Sequence, residues 1–178
     1  MELSTEEKIM SVFFKNPSKS FSFREIERKT KLSIGTVSKY TKKLKSKKLL
    51  LFDKKPNAIY ASANVLNPKF VTYKKIYNLK LIHRINLIDY LNENYRPDSI
   101  VLFGSFSKGE DHENSDVDIA LINSRDIKID LSIFEKKLKR KINIIKLNQS
   151  ISKEFKEALI NGIVLSGYLT LKWDLNNS

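Results

Sequence analysis

The chain has 178 residues and a net charge of +13, which leaves room for one sizeable domain or two small ones. Forty-one per cent of its residues are apolar, enough for a packed core, so wholesale disorder is excluded. Cysteine is absent and His83 and His112 are the two histidines, which excludes disulfides, thiolate chemistry and a histidine-rich zinc site. No apolar run approaches the roughly 18 residues of a membrane span, and Met1 to Lys8 are polar and acidic, so a soluble, cytoplasmic protein without membrane contact is expected. The positive charge is unevenly placed. Residues 1–96 hold 21 Lys and Arg against 8 Asp and Glu, whereas residues 97–178 hold 12 of each. A polyanion partner for the first half fits this division; solvated lysine faces are the alternative.

Ser4-Thr5-Glu6-Glu7 has the form of a capping box, with Ile9, Val12 and Phe13 following at helical spacing and Asn16-Pro17 ending the helix. Ser22-Phe23-Arg24-Glu25 repeats the box and opens a short helix with Ile26 inward. After a tight turn at Lys31-Leu32-Ser33, a third helix runs to about Ser46, with Ile34, Val37, Thr41 and Leu44 on one face. Thr36, Lys39, Tyr40, Lys43 and Lys47 lie on the other. Leu49 to Phe52, the polar turn Asp53 to Asn57 and Ala58 to Ala61 form a hairpin signal. Together these elements, over about residues 4–62, resemble a winged helix-turn-helix. The resemblance implies double-stranded DNA as partner, with Thr36, Lys39, Tyr40 and Lys43 on a recognition helix and Lys54 and Lys55 at a wing tip reaching phosphates. Winged helices also serve as protein-docking modules, and often bind palindromes as homodimers, although no dimer-specific seam is visible here.

Pro68 opens a run without glycine or proline to about Asn94, in which Tyr73, Ile76, Tyr77, Leu81, Ile85, Ile88 and Leu91 recur at helical steps. One unbroken helix of about 40 Å is expected, ending at Arg96-Pro97-Asp98. His83 on this helix is read as a packing or surface residue, and His112 as a solvated loop residue.

Ser99 to Phe103 is a short apolar run that reads as a buried strand leading into Gly104-Ser105. Ten residues later Asp116-Val117-Asp118 opens a second strand, Ile119 to Ile122. The period of two puts Asp116, Asp118 and Ala120 on one face and Val117, Ile119 and Leu121 toward the core. Paired carboxylates on a rigid element are unfavourable without a cation between them, and hard oxygen donors point to magnesium or manganese. Gly104 gives room for close approach, Ser105 begins the next helix, and Gly109 lets the loop Ser107-Lys108-Gly109 bend over the site with Lys108 facing phosphate.

Phe103-Gly104-Ser105, ten residues, then Asp116-Val117-Asp118 resembles the signature of the minimal nucleotidyltransferases of the DNA polymerase β superfamily. The likeness spans about residues 68–169. It implies that Gly104 and Ser105, with Lys108 and Gly109 between, hold a nucleoside triphosphate and that Asp116 and Asp118 bind divalent metals in a catalytic role. In the family a third carboxylate on a later strand helps activate the attacking hydroxyl. Leu131 to Leu138 reads as a helix and Lys141 to Ile145 as that strand, so Asn143 stands where the third aspartate is expected. Asparagine offers a metal a carbonyl oxygen but cannot accept a proton as a base. Asp130 precedes the helix and is on the wrong element to substitute.

The expected fold class is α/β (α+β), a winged helix-turn-helix over 1–62, a linker over 63–67, a small mixed-sheet nucleotidyltransferase-like domain over 68–169 and a tail over 170–178. Ser152 to Phe155 is expected to open a last helix with Phe155, Leu159 and Ile160 inward, before Ile163 to Leu165. The favoured reading is a DNA-binding protein that moves a nucleoside monophosphate from a triphosphate to an acceptor hydroxyl. Asn143 weakens transfer and favours a nucleotide-sensing regulator. A third role follows from resemblance alone: some minimal nucleotidyltransferases are antitoxins of a helical HEPN-type toxin, which would then be the partner.

Overall fold

The computed structural model describes residues 3–147 and 153–169. Ser152, where the last helix is expected to open, and the tail over 170–178 lie outside the described residues. The chain forms two compact units, one of residues 1–78 with 109–115 and the other of residues 79–108 with 116–178. In this grouping residues 68–78 of the helix that starts at Pro68 join the first unit.

In the first unit, α1 (Thr5–Lys15), α2 (Phe23–Thr30) and α3 (Ile34–Ser46) each begin where the sequence places a capping serine. Ser4 with Glu7 and Ser22 with Glu25 complete reciprocal boxes, and Ser33 accepts from the Thr36 N–H. These contacts satisfy amides that the first helical turn leaves without intrahelical partners. Lys31 takes a left-handed conformation (φ 58°) at the end of α2 and turns the chain into α3. Ile9, Phe13, Ile26, Val37 and Leu44 are fully buried, each contributing about 1.5–3 kcal/mol of transfer free energy. Ile34, expected on the same face, is exposed because it occupies the first turn of α3.

A three-stranded antiparallel sheet of order β1-β3-β2 completes this layer, with β1 (Ser20–Ser22), β2 (Leu50–Lys55) and β3 (Ala58–Ala63). The hairpin is tighter than the sequence suggests. Asp53, Lys54 and Lys55 continue β2 and pair with Tyr60, Ile59 and Ala58, which leaves Pro56 and Asn57 as the turn. The polar composition of these three residues reflects exposure along a strand rather than a loop. Three-residue β1 has no alternation long enough to announce itself.

The expected long helix is interrupted. α4 (Pro68–Arg84) and α5 (Leu87–Tyr95) are separated at Ile85-Asn86, where Asn86 is left-handed (φ 58°). Asparagine tolerates this conformation better than most residues, so no glycine or proline is needed to mark the break. Packing explains why it occurs: Ile82 and Leu87 are both fully buried in one core cluster, yet on a continuous helix they would point roughly 140° apart. On the first part of α4 the buried face is Phe70, Lys74, Tyr77 and Asn78, while Tyr73 and Ile76, which belong to the apolar recurrence, are 46% and 45% exposed.

The second unit is built on a mixed sheet of order β6-β5-β4-β7. Its strands are β4 (Ser99–Phe103), β5 (Val117–Ile122), β6 (Ile142–Leu147) and β7 (Ile163–Gly167). β4 runs antiparallel to β5 and β7, and β6 runs parallel to β5 through α7 (Ser132–Leu138). Ile100, Leu102, Val117, Ile119 and Leu121 face one cluster with α5 and α7. Val101, Phe103 and Ala120 face a second cluster with Leu159 of α8 (Lys153–Ile160). Both faces of β4 are thus covered, which explains an unbroken apolar run where a one-sided sheet would alternate. Ile160, expected inward, is 48% exposed at the last position of α8. Among the described residues no helix is long and apolar enough to cross a membrane.

Candidate functional site

β4 ends in the turn that starts α6 (Gly104–Lys108), and the turn depends on Gly104. Its φ is +71°, and a β-carbon there would lie 2.5 Å from Asp118 Oδ2. A side chain is therefore excluded twice, by conformation and by the carboxylate of the neighbouring strand. Ser107, fully buried, donates from Oγ to the Gly104 carbonyl oxygen at 2.8 Å and closes the short helix. Ser105 is half-buried in this turn and Lys108 is exposed at its end.

The sheet register brings three sequence-distant residues into one row. Phe103 pairs with Asp118 across β4 and β5, and Asp118 pairs with Asn143 across β5 and β6. Directly paired residues project from the same face, so Asp118 lies between the glycine turn and Asn143. Asn143 Nδ2 donates to Asp118 Oδ1 at 3.2 Å. Asp116 is exposed one residue before β5, at the position whose parity matches Asp118. These donors are hard oxygens without a nearby thiolate, the chemistry that magnesium or manganese prefers. Among the described residues no cluster of three His, Cys, Asp or Glu side chains is present, so a cation here would depend on Asp116, Asp118 and non-carboxylate oxygens.

The connection between the two halves of this motif departs from expectation. The helix expected to begin at Ser105 is α6, but it includes Ser107 and Lys108, which were expected in a loop over the site, and Gly109 to Ser115 groups with the first unit. Gly109 (φ +76°) packs so closely on α4 that a β-carbon would meet the Val71 carbonyl oxygen at 2.5 Å and the Lys75 nitrogen at 2.9 Å. Its glycine requirement thus comes both from the left-handed conformation and from the close approach to α4. His112 is exposed and helps shape the turn: its N–H donates to Ser115 Oγ, and its Nδ1 accepts from the Asn114 N–H.

Sequence reasoning missed the grip on that connection. Asp111, Lys74 and Asn78 are all at least 98% buried. Lys74 Nζ donates to the Asp111 backbone oxygen and lies 3.1 Å from its carboxylate, to which Asn78 Nδ2 also donates at 2.7 Å. The signal was available only as polar residues at steps of four and eight from Phe70, which binary patterning assigns to solvent. Ser18 Oγ adds contacts to both Glu113 carboxylate oxygens, at 2.9 and 2.8 Å. Asp130 is exposed and its carboxylate accepts the Ser132 N–H at the start of α7, a bond that holds its pKa below the usual range.

On the first unit, Lys39 is exposed and Tyr40 and Thr36 are half-buried on the outer face of α3. Lys54 and Lys55 are exposed on β2, Lys55 lying 4.9 Å from the Tyr60 ring centre. Lys43 is already engaged, 3.3 Å from Glu6, which Lys47 also contacts. Burial alone would raise the pKa of Glu6, but the hydrogen bonds and charges of Lys47 and Lys43 outweigh it and hold the carboxyl below its ordinary value.

Residues 85–168, just under half of the chain, match the family model described as Polymerase beta, Nucleotidyltransferase. The match supports the nucleotidyltransferase superfamily for that segment. The row Phe103, Asp118 and Asn143 and the Gly104 turn fall inside the matched segment, whereas α4 (Pro68–Arg84) falls outside it. No curated protein matches the chain.

Proposed function

We propose that the second unit binds a nucleoside triphosphate with a divalent cation and transfers nucleoside monophosphate slowly to an acceptor hydroxyl. The observation that carries this reading is the sheet register, which pairs Asp118 with Phe103 on one side and Asn143 on the other, so that the turn at Gly104 closes against the Asp118 carboxylate. Gly104 and Ser105 cradle the triphosphate, with Lys108 as a nearby cation, and Asp116 and Asp118 are the metal ligands. A bound magnesium or manganese ion supplies charge neutralisation on the triphosphate. The acceptor oxygen attacks the α-phosphorus, the bond from that phosphorus to the bridging oxygen breaks, and pyrophosphate leaves. The hydroxyl proton passes to solvent, because Asn143 cannot take it. General-base assistance contributes roughly 10²–10⁴-fold, and the rate lacks that factor.

The hydrogen bond from Asn143 to Asp118 also favours a second reading, a nucleotide sensor without appreciable turnover. In both readings the first unit is a winged helix that binds double-stranded DNA through Thr36, Lys39, Tyr40, Lys54 and Lys55, with Lys43 shared between DNA and Glu6. Calorimetric titration with MgATP tests the common core. Affinity lost in Asp116→Ala/Asp118→Ala is expected, and a folded wild-type protein with no affinity would overturn it. Pyrophosphate release that disappears in Asp116→Ala separates the enzyme from the sensor.

A further inference from the structure

The segment joining Gly104-Ser105 to Asp116-Asp118 is anchored in an unusual manner for an exposed connection. Its central residue, Asp111, is 1% exposed and is held by a lysine and an asparagine that are themselves 1% and 2% exposed. Lys74 engages both the main chain and the carboxylate of Asp111, and Asn78 engages the same carboxylate oxygen. Gly109 is pressed on the α4 backbone two residues before, and Glu113 is held by Ser18 two residues after. Every second residue from 109 to 113 is therefore fixed.

Such anchoring exceeds what joining two elements requires. A buried charge is tolerated only with a partner of good geometry, and a seven-residue connection could remain solvated without this cost. The anchored segment is short and its covalent ends are Lys108 and Asp116, so fixing Asp111 restricts where both ends lie. Catalytic and ligand-binding geometry is sensitive to displacements of about 1 Å, which is the scale such restriction controls.

We propose that Lys74 and Asn78 are positioning residues for the candidate nucleotide site, acting through Asp111 to hold the two halves of the motif in register. Neither residue is assigned a contact with substrate. The inference rests on the nucleotide-binding reading for its functional effect, but the restriction of the motif ends is independent of any ligand.

The experiment uses the full chain with Asn78→Leu, with Lys74→Met/Asp111→Asn, which removes both charges together, and with Ile26→Val in α2 as a core control. Amide hydrogen exchange is read at Gly104–Lys108 and at Asp116–Asp118, and MgATP affinity by calorimetry, all well below each variant's melting temperature. Exchange at both motif halves should rise at least tenfold in the first two variants, with Val101 and Ile119 unchanged, and MgATP affinity should fall at least tenfold. Ile26→Val should lower the melting temperature without either change. Faster exchange confined to residues 109–115, or unchanged affinity in a wild-type protein that binds, overturns the proposal. If wild type binds no MgATP, the nucleotide reading fails on its own, and exchange at the motif ends alone decides whether Lys74 and Asn78 position them.

Discussion

Gly104 and Asn143 flank one carboxylate, and each constrains it differently. Replacing Gly104 with alanine forces a left-handed residue, at about 1–2 kcal/mol, and drives a methyl group toward Asp118 Oδ2. Gly104→Ala is expected to melt a few degrees lower and to lose most MgATP affinity, because Asp118 must move; an unchanged titration would count against its placement. Asn143→Asp exchanges a hydrogen bond for a like charge directly opposite Asp118. Without divalent ions the variant should be less stable by about 0.2–1 kcal/mol. Magnesium should then raise its melting temperature more than that of wild type. Thermal scans in chelator and in magnesium test this, and equal shifts would remove Asn143 from the metal environment.

At the level of elements, the capping boxes were legible because their chemistry is local: the residues that make the bonds are three apart in sequence. One of them has a pH consequence. Glu25 is held below the ordinary glutamate value of 4.5, first by the Ser22 backbone N–H and then by its hydroxyl. A lowered folded pKa contributes stability above the unfolded value, and that contribution is lost as pH falls through the folded one. Glu25→Gln should therefore be less stable than wild type at neutral pH, with the difference shrinking in increasingly acid denaturation curves. Ser22→Ala should cost about 1 kcal/mol at pH 7. Features set by distant contacts were less legible. The register of β6 was readable because Asn143 lies in a clear apolar strand, but the break at Asn86 answers to the phase of Ile82 and Leu87 in a core that no local signal describes. Lys74 and Asn78 were hidden for a related reason: their burial is compensated by Asp111, more than thirty residues away in sequence.

For the whole molecule, the uneven charge sets an expectation about salt. Each phosphate contact by a lysine of the first unit contributes about −0.9 to the slope of log affinity against log salt. Lys39→Ala, Lys54→Ala and Lys55→Ala should each reduce that slope by about one in fluorescence anisotropy with duplex DNA. Lys43→Ala should change it less, since Glu6 already engages that ammonium. A salt-independent affinity would instead assign the basic surface to solvation. Should MgATP change the affinity for DNA, linkage requires that DNA change the affinity for MgATP by the same factor.

The placement of Asp111 also bears on how the protein is made. Residues 1–78 leave the ribosome before residues 109–115, an interval of about 2–7 s at 5–20 residues per second, so the first unit waits for a piece encoded inside the second. Until then the buried face of α4 presents Lys74 without the Asp111 carboxylate that its position demands. Ribosome-stalled chains exposing only residues 1–78 should be cut by protease within α4, and chains exposing residues 1–115 should be protected there. Synthesis of the first unit would then end with a delayed fastening step, so an early termination yields a product that cellular proteases can recognise and remove.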